Sequence, residues 1–107
     1  MSAQMTWEQM LSAVQALGEA SLRMRQPGDW YVEQPRVDKK ERGSSVIGSA
    51  YGNGSTPEAA VRDHWWTLTD LKPNEIIVID SLRATRRHVR WNGFMWVDEP
   101  VRREVHA

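Results

Sequence analysis

Two rhythms of hydrophobic positions run along this chain, and they set out most of its elements. Near the start, Trp7, Met10, Leu11, Val14 and Leu17, continued by Ser21, recur at intervals of three and four, with Glu8, Gln15 and Glu19 off the stripe. That spacing predicts an amphipathic helix. Its start is marked twice, by the capping-box pair Thr6 and Gln9 and by the hydrophobic-staple pair Met5 and Met10. The reading carries this helix through Gly18 to Pro27-Gly28, with Arg23 and Arg25 suited to its negative end.

Period-two alternation takes over at Asp29 to Gln34, with Trp30 and Val32 on one face, Tyr31 and Glu33 on the other, and Pro35 as terminator. Arg36 to Ser45 is charged and nearly free of apolar residues, so a solvated connection is expected there. A strand is expected at Val46 to Tyr51, whose small residues Gly48, Ser49 and Ala50 would let a helix approach. Gly52 to Glu58 then reads as a turn into a second helix, capped by Thr56, opened by Pro57 and running to about Thr69. Val61, Trp65 and Leu68 form its inward stripe beside Ala60 and His64, which leaves Trp66 as the exposed ring of the pair. Glu75 to Asp80 is apolar on both faces, the pattern of a strand covered on both sides.

The last third predicts a β-hairpin from Arg86 to Asp98. Asn92-Gly93 is the dipeptide of a type I′ turn, and a two-residue loop would pair Trp91 with Phe94, Arg90 with Met95, Val89 with Trp96 and His88 with Val97. One face then collects Val89, Trp91, Phe94 and Trp96 as core. The other collects Arg86, His88, Arg90, Met95 and Val97 as a mostly basic surface. The expected architecture is α+β: an antiparallel sheet of about five strands with two helices packed on one face, in the order α-β-β-α-β-β-β. A single domain over residues 1–100 and a frayed tail over 101–107 complete it.

Composition narrows the function classes. Fourteen basic and fourteen acidic side chains cancel over 107 residues, so no global field draws the chain to nucleic acid or an anionic membrane. The absence of cysteine excludes disulfide and thiolate chemistry and fits a reducing compartment, so a cytoplasmic location is expected. The N-terminus lacks the cationic start and apolar run of a signal peptide, and no stretch is apolar for long enough to span a bilayer. Six tryptophans are the one excess, and core filling is their first reading.

Candidate chemistry is sparse. Asp63 and His64 are helix neighbours and point about a hundred degrees apart, Ser81 lacks a nucleophile-elbow motif, and Asp80 has no second acid nearby. The three histidines, 64, 88 and 106, have no metal-ligand spacing. No catalytic, cofactor or metal residue is assigned. What stands out is a basic segment, Arg83, Arg86, Arg87, His88 and Arg90, with no acid between Asp80 and Asp98. Arginines on the outer face of a β-ribbon can meet phosphates or an acidic protein surface, or serve only to keep an edge solvated. Arg87, on the aromatic side, would lie over a tryptophan ring. Lys39, Lys40 and Arg42 offer a second set of phosphate contacts, and the glycines before Thr56 lack the lysine of a phosphate-binding loop.

The run Tyr51-Gly-Asn-Gly-Ser-Thr-Pro-Glu-Ala-Ala-Val resembles the strand-to-helix junction of HicB-type antitoxin domains, whose fold is similar to double-stranded RNA binding domains. The whole chain, short, tryptophan-rich and ending in Arg-Trp-Asn-Gly-Phe-Met-Trp-Val-Asp, also resembles small accessory proteins of tailed phages and prophages. That resemblance implies a binding role in the host cytoplasm and carries no site residues. The expectation is therefore a non-enzymatic module that binds a protein partner, or a second copy of itself, through the sheet or the hairpin. Arg86, His88, Arg90, Met95, Val97, Trp66 and Tyr31 are its expected contacts, and nucleic-acid binding by the basic hairpin face is the alternative.

Overall fold

A computed structural model describes residues 5–43, 49–80 and 86–99. The elements are α1 (Trp7–Gln15), β1 (Ser21–Gln26), β2 (Asp29–Gln34), β3 (Val37–Glu41), β4 (Ala50–Gly54), α2 (Pro57–Thr69), β5 (Glu75–Asp80), β6 (Arg86–Trp91) and β7 (Trp96–Asp98). The class is α+β, as expected. The strands form two antiparallel sheets instead of one, a three-stranded sheet ordered β1-β2-β4 and a four-stranded sheet ordered β3-β5-β6-β7. β2 lies in the first sheet and β3 in the second, joined by Pro35 and Arg36, the latter at φ +71°.

Helix starts follow the sequence signals closely. The Thr6 hydroxyl accepts from Gln9 N at 3.1 Å while Gln9 Oε1 accepts from Thr6 N at 2.9 Å, completing the capping box. Thr56 caps α2 by accepting from Ala59 N at 3.1 Å, with Pro57 in the first turn.

The first helix is shorter than its pattern implies. It stops at Gln15, and Ser21 to Gln26 form β1, a hairpin strand closed by Pro27 and by Gly28 at φ +78°, the residue preferences of a type II turn. Leu22 and Met24 alternate with Arg23 and Arg25, a period of two that the helical reading of Arg23 and Arg25 overlooked. β3 corrects the expected solvated connection, and Gly52-Asn53-Gly54, read as turn, belongs to β4. Residues 44–48, with Gly48 and most of the expected strand before Tyr51, lie outside the described residues, as do Ser81, Arg83 and the tail after Glu99.

Glycine explains how closely α2 seats on β4. A Cβ on Gly52 would come within 2.4 Å of His64 N and 2.5 Å of Ala60 O, and one on Gly54 within 2.5 Å of Ala60 N. No side chain fits at either of these two positions of the strand. One core then draws on every layer: Met10, Val14 and Leu17, Val32, Ala60, Val61, Trp65 and Leu68, and Val37, Ile77 and Val89 from the second sheet.

Trp65 of α2 meets Trp91 and Trp96 of the hairpin edge to face, with centroids 4.9 and 5.8 Å away, and those two rings lie 5.1 Å apart. Trp96 Nε1 donates to Ala13 O at 2.8 Å. The second sheet is thus fastened to both helices.

Candidate functional site

The hairpin is wider than its Asn-Gly signal suggests. Trp91 pairs with Trp96, Arg90 with Val97 and Val89 with Asp98, leaving Asn92 to Met95 as a four-residue loop. The shift is even, so Trp96 still faces the core and Val97 still faces out. Phe94 is the casualty: expected in the core opposite Trp91, it is 84% exposed. Asn92 alone braces the wider loop. Its Oδ1 accepts from Phe94 N and Met95 N, both at 2.9 Å, and its N donates to Met95 O at 3.0 Å, while Gly93 takes φ +102°. Phe94 and Met95, the latter 58% exposed, are therefore held out at a braced tip.

Behind the tip lies the outer face of the four-stranded sheet. The registers Asp38↔Val78, Lys40↔Ile76, Val78↔His88, Asp80↔Arg86 and Arg90↔Val97 place these residues on one side. Ile76 and Val78 are buried there although they lie outside the main core cluster. Long charged side chains on the flanking strands can cover such residues with their aliphatic stems.

The guanidinium groups meet carboxylates of the same chain. Arg86 lies 4.0 Å from Asp80, Arg87 lies 2.9 Å from Asp98, and Glu99 takes Arg42 at 2.7 Å on one oxygen and Arg90 at 3.2 Å on the other. Arg87 is therefore paired with Asp98 rather than laid over a ring; among the described residues a cation-π contact forms instead at Arg25 over Tyr31, 4.5 Å from its centroid. Lys39 reaches Glu75 at 4.0 Å. His88, half-buried under this lattice, is held below the usual histidine pKa first by desolvation and then by Lys40 and Arg42, with Glu99 pulling the other way.

Arg86, His88, Arg90 and Val97 thus share one face, with Met95 in the adjoining loop. Trp66, on α2, and Tyr31, on the outer side of the first sheet, are not part of it. Trp66 is 61% exposed against 6% for Trp65, as the helical spacing predicts. Tyr31 lines a shallow depression of about 330 Å³ with Arg25, Glu33, Ser49, Tyr51 and Asn53. Phe94 and Glu99 are absent from the sequence-based contacts, and Arg42 figures there only as a phosphate contact apart from the hairpin. Phe94 was hidden by the turn type; Glu99 lies one residue beyond the expected hairpin, and only the β3-β5-β6 order brings Arg42 towards it.

His64 is 1% exposed and its Nε2 lies 2.7 Å from Gln34 Oε1, while Gln34 Nε2 donates to Val14 O at 2.6 Å and to Gly18 O at 3.1 Å. Since the amide nitrogen faces two carbonyls, its oxygen faces the ring, and His64 Nε2 carries the hydrogen. Burial lowers its pKa to about 4, against the opposing influence of the Tyr51 backbone and Asp63. Asp63 itself accepts from Asn53 N at 2.9 Å. This is a structural tie between α1, β2 and α2.

A larger hollow of about 560 Å³ beside the end of α1 is lined by Glu19, Arg36 and Asp80 among apolar neighbours. Among the described residues no group of three or more His, Cys, Asp or Glu is placed to hold a metal ion, and no helix is long and apolar enough to cross a membrane. Comparison with protein-family models, curated proteins and solved structures returns no match.

Proposed function

We propose that this chain is a small non-enzymatic binding module that engages a protein partner, or a second copy of itself, through the hairpin tip and the adjoining sheet face. The supporting observation is the pair Phe94 and Met95. Two large apolar side chains stand in water on a loop whose backbone is fixed by three hydrogen bonds, so their order is prepaid and a partner surface would gain their burial. In the nucleic-acid alternative a run of phosphates would meet Asp80 and Asp98 beside Arg86 and Arg87, and the repulsion from those carboxylates weighs against it. The resemblance to phage and prophage accessory proteins suggests a partner in a bacterial host cytoplasm.

Site-specific photo-cross-linking tests the reading. A benzophenone side chain in place of Phe94 should give a discrete protein adduct, either with a partner or at twice the chain's mass. The same group in place of exposed Glu58 should not. No adduct at position 94 beyond that at position 58 would overturn it.

A further inference from the structure

Glu99 is a largely covered acid. Its side chain is 14% exposed, close to the 15% of Glu75 and against 70% for Asp98 beside it. Its two oxygens are divided between guanidinium groups that come from opposite sides of β5: Arg42 just beyond β3, and Arg90 on β6. Both chain segments are pinned by backbone bonds, Arg42 N to Asn74 O at 2.8 Å and Glu99 N to His88 O at 2.7 Å. The backbone that carries Arg42, and that of Arg90 within β6, would therefore stay in place if the carboxylate left.

The ground beneath adds to this. His88 Nδ1 is buried without a hydrogen-bond partner among the described residues. Burial first, and then Lys40, Arg42 and Arg86, oppose its protonation, while Glu99 favours it.

We propose that the Arg42–Arg90 pair is a carboxylate-binding site that Glu99 fills as an internal ligand, and that an acidic peptide segment of the partner takes its place on binding. The occupant is argued from the geometry in place: a planar carboxylate with one guanidinium on each oxygen, at a site flanked by the apolar tip. The inference rests on the protein-binding reading for the source of the carboxylate, and its readout is separate from cross-linking at position 94, so either can fail alone.

The test is fluorescence anisotropy of a labelled hexaglutamate peptide with the full chain at low ionic strength. Glu99→Gln should bind the peptide about tenfold more tightly than the original chain. Adding Arg42→Gln and Arg90→Gln to that variant should abolish the gain. Inorganic phosphate and a single-stranded oligonucleotide of matched charge serve as competitors and should displace the peptide less well than unlabelled hexaglutamate. Glu99→Asp keeps the charge on a shorter side chain and should bind with intermediate strength, which preserves the test if Glu99→Gln fails to fold. Equal affinities across the series, a gain that survives loss of both arginines, or a preference for the oligonucleotide would each overturn the proposal.

Discussion

Gln34 and His64 form a buried polar pair in the middle of the core, and their protonation gives the clearest consequence at residue scale. The folded ring has a pKa of about 4, whereas an unfolded histidine titrates near 6.5. Above the unfolded value both states are neutral and stability is at its full level. As pH falls from 6.5 towards 4 the unfolded chain takes up a proton that the folded chain refuses, so stability declines, by about 3 kcal/mol over the whole window. The His64 ring resonances should stay flat from pH 8 to pH 5 in an NMR titration, and a midpoint near 6.5 would contradict the assignment. Gln34→Ala strands two carbonyls and the ring N–H, and urea unfolding should show a loss of about 3 kcal/mol.

Among the elements, the seating of α2 on β4 depends on residues that look like turn formers. Gly52→Ala drives a methyl into the α2 backbone, and equilibrium unfolding should register a loss of about 3 kcal/mol or more, with Gly54→Ala similar. Gly93→Ala meets open space and suffers only from its positive φ, so a loss of about 1 kcal/mol is expected.

The same glycines show where the sequence was legible. Both helix starts were readable because capping is local chemistry, a hydroxyl and a backbone N–H three residues apart. The doubly apolar β5 was readable because its burial is written in consecutive residues. β4 was readable only at Ala50 and Tyr51, the end of the strand expected over Val46 to Tyr51, since glycine in a strand and glycine in a turn look alike until the helix it must admit is known. β1 hid behind a helical run that its two arginines seemed to finish, and β3 behind charges that read as solvent.

The hairpin divides the same way. Its existence, and the inward turn of Trp91 and Trp96, followed from alternation. Its loop length did not, because Asn92 can make either a two-residue I′ turn or the four-residue bracket found here, and the choice depends on Trp96 reaching Ala13 and the ring of Trp65. The cost of that choice is borne by Phe94.

At the scale of the molecule, both helices and both sheets share one core, and the functional reading concerns what that core leaves outside. Trp66, Tyr51, Met24, Phe94 and Met95 are the exposed large hydrophobic residues among those described, and the first three sit on separate elements. Only Phe94 and Met95 are adjacent, braced and bordered by a charged face. A nearly neutral chain gives such a patch little long-range steering, so contact should depend on short-range fit more than on salt.

The most direct test is the retention of the cross-linked partner by a chain carrying Phe94→Ser and Met95→Ser, measured beside its urea midpoint. Because neither side chain is packed in the core, stability should stay within about 0.5 kcal/mol of the original while partner binding is lost. Binding that survives both substitutions in a stably folded chain would contradict the account.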